Sequence, residues 1–576
     1  MIEKMTKYSW ILATSDADAF LAKIQELGVV DITRSSKAID DKSAALLAEI
    51  DAVKSEISCL KKGSDGTLAA LESELSALKA QAAELEPWGS FDPAAVADLA
   101  SRGVTLTFYC IQQKKFDSAC DQWAEVWAIQ EICRKDGKVW FVIAGPAEGF
   151  PEKSIAAPQT SFAQVSELVE KKAAEADAYR ASLAARACEI PSLERKMEAV
   201  KAEFNLYMAS QTGESAAENA ITVFEGFAPS SEDERLEKEF DTIGEFYLKE
   251  DACGEDTPPI KFRNNRFVKM FEVLTDMYGR PAYNGFDPTP FIAIFFLLFF
   301  AMCIGDMGYG LVLMVVGLLL RNTKAFGSLA PLVVTLGGGT VVVGFFFHTL
   351  FSVDFSTWEC IPESLKALMV PAKIAGYDGT MVLALGVGIV HLLLAMIVKT
   401  VYATKNKGFL NSLSAWGWTL FWLGLVVIGA FALLGVLDSA VTKTAIIVLG
   451  IVCAIGIFPL NNLRRNPLVN IGSGLWDTYN MATGILGDVL SYLRLYALGL
   501  AGAMLGFAFN NLAGIALGDG GLGWVFFILI ALVGHVLNLA MAALGAFVHP
   551  LRLNFLEFFK NSEYEATGTK YNPLKK

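Results

Sequence analysis

The sequence predicts a mixed fold: N-terminal cytoplasmic α/β lobes joined by a long antiparallel coiled-coil hairpin, then an eight-helix all-α transmembrane domain. The last two helices of that domain are expected to be long and tilted. Three observations carry this reading. Charge divides the chain near Gly285: residues 1–285 hold 32 Lys and Arg against 48 Asp and Glu, whereas 286–576 hold 16 against 13. Two stretches of the charged half repeat apolar residues every three or four positions, and long apolar runs fill the other half.

The charged half begins "MIEKMTKYSWILATSDADAF", without the apolar core of a signal peptide, so it is expected to stay in the cytoplasm. Its first heptad-like stretch runs Leu46, Ile50, Val53, Ile57, Leu60 and, past a Gly63/Gly66 break, Leu71, Leu75, Leu78, Ala82 and Leu85. The second runs Ala176, Tyr179, Leu183, Ile190, Leu193, Met197, Val200, Phe204 and Tyr207, with a kink expected at Pro191. Between them, Val104–Cys110 and Val139–Ala144 read as strands around a helix at 117–129. Strands at Tyr8–Ala13, Val29–Ile32 and Ile221–Phe227, with helices at 17–27 and 231–240, build a second lobe where the hairpin ends meet. The expected organisation is a proximal lobe (1–35 and 212–285), a coiled coil (36–90 and 160–211), a distal lobe (91–159) and a membrane domain (286–576). On pattern alone, the coiled coil suits a spacer or dimeriser as well as a strut.

In the apolar half, spans fall near 291–305, 307–320, 328–351, 380–402, 410–436, 441–460, 475–517 and 522–558. Arg321/Lys324, Lys405/Lys407, Arg464/Arg465 and Lys570/Lys575/Lys576 alternate with loops poor in Lys and Arg, the positive-inside pattern of a multi-pass protein with both termini in the cytoplasm. The nine cysteines show no CxxC spacing, which argues against a zinc site and a disulfide framework. No GxxxxGK[ST] loop is present, so nucleotide hydrolysis by that route is not expected. No metal, cofactor or nucleic acid is expected.

Several polar residues interrupt the spans. Between Leu475 and Gly518 the charged residues are Asp477, Asp488 and Arg494. An arginine at mid-membrane costs about 2.5 to 17 kcal/mol and does not neutralise, which makes Arg494 a functional candidate. On a helical wheel its face carries Gly487, Ser491, Ala497, Ala501 and Ala508 with Leu490, Leu498 and Leu505, a surface that lets another helix approach. Asp488 lies about 120° away on that wheel, poorly placed to pair with Arg494. In the last span His535, Asn538 and His549 share a stripe with Arg552 at its edge, and Glu557 follows. Arg552 and Glu557 equally suit snorkelling to headgroups. Asp306, in "CIGDMGYG", either holds a hairpin together or marks an aqueous vestibule. His348 and His391 read as interior histidines.

The motifs "SYLRLYALGLA", "LGAFVHPLRLNFLEFF", "FFAMCIGDMGYG" and "EVLTDMYGRPAYNGFDPTPF" closely resemble the a/I subunit of rotary V-type/A-type ATPases. "VFEGFAP" resembles the segment by which that family's soluble half returns toward the membrane. The resemblance implies a stator subunit facing a rotating c/K proteolipid ring. Arg494 would be the stator arginine that meets each ring carboxylate, and Arg552 the second membrane arginine. Asp306, Asp488, His535, His549 and Glu557 would belong to the ion half-channels. It also implies E/G peripheral stalks and a central-stalk collar subunit as partners of the arm, with ATP handled on separate A and B subunits. Two positions depart from eukaryotic members, which carry a glutamate where this chain has Ala542 and a histidine where it has Gly502; both fit the prokaryotic branch. Of the alternatives, a secondary transporter with a regulatory domain would call for an internal repeat or paired interrupted helices, which the sequence lacks. A membrane tether would not need Arg494.

Overall fold

The computed structural model describes residues 1–34, 37–89, 93–147, 149–157, 160–216, 220–323, 327, 329–356, 358–359, 361–371, 373–374, 376–433, 438–458, 467–516 and 521–575. Lys324, Arg464, Arg465 and Lys576 lie outside these residues, as do 435–437 of "GVLDSA" and 518–520 of "GDGG". The chain is mostly helical, with small antiparallel sheets, and divides into two compact units.

One unit comprises 15–28, 33–213 and 574–576. Its long helices are Asp41–Lys62, Gly66–Leu85, Phe162–Arg186 and Ile190–Ser210. Leu46 and Ile50 pack on Val200, Phe204 and Met208, while Leu60 and Leu68 pack on Leu183 beside Tyr179, Ile190 and Leu193. The order of these contacts makes the paired helices antiparallel. Apolar side chains three and four residues apart form one stripe per helix; it is buried in Asp41–Lys62, whereas in Gly66–Leu85 Leu68 and Leu85 are buried and Leu71, Leu75 and Leu78 are half-buried. Asp40 and Asp65 cap the first two helices through the amides of Ser43 and Leu68. A 3-10 turn at Ala187–Glu189 separates the two returning helices, with Pro191 in the first turn of the second, where its missing N–H costs nothing. The lobe beyond is a three-stranded antiparallel sheet in the order Leu106–Gln112, Lys138–Ala144, Ala128–Lys135. Its core is Tyr109, Ile111, Phe116, Val139, Phe141 and Ile143. Here the helix expected at 117–129 runs instead from Gln113 to Ala124, and the residues after it turn into an edge strand.

The other unit comprises 1–14, 29–32 and 214–573. Its sheet has the order Asp31–Ile32, Ile221–Pro229, Met5–Ala13, Phe246–Asp251, with Glu214–Ala216 also paired to Ile221–Pro229. Trp10 pairs with Phe224 on one side and Tyr247 on the other. Tyr8 and Trp10 are fully buried against Phe240.

Four helices of this unit are long and apolar enough to cross a membrane: Gly379–Asn406, Leu413–Ala432, Ile471–Ala516 and Gly523–Ser562. Shorter apolar helices are Thr289–Ile304, Met307–Leu320, Ala330–Phe346 and Ser439–Ile455. Thr289–Ile304 is buried almost all round, as a helix apolar on every face must be. Gly310 and Gly337 let the next two backbones touch: a Cβ on Gly310 would lie 2.9 Å from the Gly337 carbonyl oxygen. The regular helix Gly521–Arg552 passes into a π-helical stretch, Leu553–Phe558, just after Pro550 removes a backbone donor. The tail then returns along 260–282, with Ile260 donating to Thr569, Tyr571 to Ile260 and Ala282 to Glu565 through backbone bonds.

Candidate functional site

Arg494 sits near the middle of the 50-residue helix Pro467–Ala516 (the Arg494 helix). It is half-buried, and Nη1 is enclosed without an acceptor. Among the described residues no carboxylate forms an ion pair with it. Gly487, Leu490, Ala497, Ala501, Leu505 and Ala508, on the same face, are exposed in this chain. A permanent cation thus opens onto a surface of small and apolar residues.

The nearby carboxylates turn elsewhere or stay apart. Asp488 accepts from Lys560 Nζ at 3.2 Å and from Asn561 Nδ2 at 2.8 Å, both from the C-terminal helical segment. Glu557 is buried in the π-helical stretch, and its Oε2 has no donor. His549 is half-buried with Nδ1 unpartnered, and Arg552 is exposed. His391 is fully buried, bonded through Nδ1 to Tyr492 Oη at 2.9 Å and stacked on Phe558 at 4.9 Å.

A second group lies around Asp306. This residue caps Met307–Leu320, accepting from Gly308 N at 2.8 Å and Tyr309 N at 3.1 Å. It also accepts from Phe351 N at 2.9 Å and Ser352 N at 2.5 Å, so one carboxylate ties two segments together. Beside it opens a cavity of about 290 Å³. Asp306, Tyr309, Ser352, Asp378, Tyr496 and Gly502 are among its walls. His535 bonds to Tyr309 Oη through Nδ1 at 2.8 Å and to Asn510 Oδ1 through Nε2 at 2.9 Å. Asn538 donates to Tyr309 Oη and to the Gly502 carbonyl, each at 2.8 Å.

Of the residues singled out in the sequence, the structure brings Asp306 and His535 into one polar group. Asp488, Arg494, His549, Arg552 and Glu557 lie along the facing stretches of the last two long helices. Sequence reasoning missed Tyr309, Ser352, Asn510 and Lys560. Tyr309 stands inside "CIGDMGYG", but nothing in one sequence pairs it with a histidine 226 positions away.

Long apolar helices with polar groups held between them define a membrane-integral chain. A family model for the V-type ATPase 116kDa subunit family matches residues 129–328. The chain is 31% identical over 334 residues to the A-type ATP synthase subunit I of Pyrococcus horikoshii, covering 55% of this chain and 48% of that one. It is 27% identical over 532 residues to the V-type ATP synthase subunit I 1 of Treponema pallidum (85% and 82%). It is 23% identical over 617 residues to the V-type ATP synthase subunit I of Chlamydia pneumoniae (92% and 86%). The aligned part spans about half the length of the archaeal relatives and most of the bacterial ones. These matches support reading the chain as similar to subunit I of V-type and A-type ATPases.

Proposed function

We propose that this chain is the membrane stator of a V/A-type rotary ATPase and couples ATP hydrolysis or synthesis to transport of H+ or Na+. In this reading residues 286–576 form an eight-helix transmembrane domain with both termini on the cytoplasmic side. Residues 1–285 form the coiled-coil stator arm that anchors the E/G peripheral stalks and meets the central-stalk collar. The observation that carries the proposal is Arg494: a half-buried cation whose Nη1 has no acceptor among the described residues, on a face of exposed small and apolar residues. Its counter-charge therefore comes from another molecule, and a carboxylate on each subunit of a proteolipid ring meets that need. Attraction to Arg494 lowers the pKa of that carboxylate, favouring release of the bound ion. The cavity beside Asp306 serves as the outward half-channel. Asp488, His549, Arg552 and Glu557 border the cytoplasmic one. ATP is handled on the A and B subunits.

The test is ATP-driven ion uptake into vesicles carrying the assembled complex, followed separately for protons and sodium. Arg494→Ala is expected to abolish uptake while pull-down shows intact assembly. Normal uptake by that variant overturns the assignment of Arg494.

A further inference from the structure

Two backbone carbonyls fix the direction of the hydrogen-bond chain around His535. A carbonyl only accepts, so Asn510 presents its amino group to Phe351 O, at 2.8 Å, and its oxygen to His535 Nε2. His535 therefore carries a proton on Nε2. Asn538 likewise must donate to Gly502 O, and its second N–H goes to Tyr309 Oη. In the uncharged imidazole Nδ1 accepts, and the Tyr309 proton points at it. Every bond is satisfied by the uncharged imidazole.

One hydroxyl beside this chain is not satisfied. Ser352 Oγ is buried without a hydrogen-bond partner, next to Tyr309 and on the cavity wall. Among the described residues, Tyr309 is the member of the Asn538–Tyr309–His535–Asn510 chain that also lines the cavity. A second proton on the imidazole would sit on Nδ1 and point at Tyr309 Oη. The Tyr309 hydroxyl would then turn away and donate to Ser352 Oγ. The two protonation states thus correspond to two hydrogen-bond patterns that differ by one hydroxyl rotation, and only the charged one gives Ser352 Oγ a donor.

We propose that Ser352, Tyr309 and His535 form a proton-loading relay on the wall of this cavity, an inference that rests on the cavity being the outward half-channel. In loading, Tyr309 Oη takes a proton from a hydronium ion in the cavity as its own proton passes to His535 Nδ1. Water and an imidazolium remain. In unloading, Nδ1 returns its proton to Tyr309 Oη, which releases one to cavity water. Asn510 and Asn538 cannot relay protons; they are positioning residues that hold the tautomer and the tyrosine oxygen. The titratable or charged groups facing His535 are Tyr309 and the Asp306 carboxylate, while the 349–352 turn presents Phe351 and the Arg494 helix presents Asn510.

The test uses the assembled complex in vesicles, with transport rate measured while the pH on the outward face is stepped across about 5 to 8, the titration window of an ordinary imidazole. Tyr309→Phe keeps the ring, His535→Gln keeps a hydrogen-bonding side chain of similar length, and Ser352→Ala removes one oxygen. The first two are expected to slow transport several-fold and to flatten its dependence on outward pH; Ser352→Ala is expected to shift the profile with a smaller loss of rate. A wild-type profile in both Tyr309→Phe and His535→Gln overturns the relay, as does failure of both to assemble, which would make the chain purely structural. Arg494→Ala runs in parallel. If it is inactive while the relay variants behave as wild type, this inference alone fails; if it transports normally, the stator reading fails first.

Discussion

Three arginines of the charged N-terminal half and Arg494 of the apolar half are treated in opposite ways. Arg134 bonds to both oxygens of Glu131 and to Asp117. Arg180 reaches Glu72 and Asp177, and Arg186 reaches Glu56 and Glu189. All three are exposed, where ion pairs contribute little. Arg494 stands where pairing would matter most, and among the described residues no carboxylate forms an ion pair with it. Asp488, six residues away, goes to Lys560 instead. A chain with 61 acidic residues does not lack carboxylates. The difference is what the proposed partner carboxylate of the ring would account for.

Arg494→Lys sharpens that comparison and carries the largest expected effect after Arg494→Ala. Lysine keeps the charge but replaces a planar fork of five donors with a compact ammonium on a different reach. If the partner carboxylate is held by the fork, transport falls at least about tenfold with assembly intact. Uptake near the wild-type rate would mean that a point charge suffices.

Asp306 behaves like the arm's capping aspartates rather than like Arg494, because four backbone donors already occupy it. Asp306→Asn replaces one accepting oxygen by an amino group that cannot accept. With three donors on Oδ1 and only Ser352 N on Oδ2, this leaves one buried N–H unpaired, at an expected cost of about 1–3 kcal/mol. The expected outcome is less assembled complex and a lower unfolding temperature in thermal-shift measurements. A variant that assembles normally but transports poorly would give Asp306 a direct role toward the ion.

What the sequence made legible follows the same division. The seam of Leu46, Ile50, Leu60, Leu183, Val200 and Phe204 could be read because burial repeats every three or four residues, and the helices do pack along it. The strand Ala128–Lys135 could not, because "AIQEICRK" is a mostly exposed edge strand with no apolar alternation to separate it from the helix before it. The wheel separated Asp488 from Arg494, but it could not name Lys560, which comes from another helix. The Tyr309–His535–Asn510 chain draws on three helices, and only their packing assembles it.

The seam itself offers a test of intermediate size. Met208 is fully buried with Leu46, Ile50, Val200 and Phe204. Met208→Ala removes that volume from a site that relaxes only partly, at an expected cost of 2–5 kcal/mol, roughly the range for large-to-small changes in cores. Amide exchange should speed up in Asp41–Lys62 and Ile190–Ser210 together. Acceleration in one helix alone would show that the two do not open as a unit.

The smallest expected effect concerns a charge that the arm does satisfy. Asp65 accepts from Thr67 Oγ1 at 2.5 Å, from Leu68 N at 2.9 Å and from Tyr179 Oη at 2.7 Å. The Thr67 hydroxyl first, then the Leu68 amide and the Tyr179 hydroxyl, hold its pKa at about 2. In an unfolded chain it would be about 3.9. A depressed carboxylate stabilises the fold above its unfolded pKa, and that contribution is lost as pH falls through the folded value. Asp65→Asn should therefore speed amide exchange in Gly66–Leu85 relative to wild type by its full margin above about pH 4, a margin that narrows toward pH 2. If the margin is constant across that range, the side chain acts only as a neutral cap. The contrast with Arg494 would then rest on geometry alone: one group accepts three hydrogen bonds, and the other has its Nη1 buried without an acceptor.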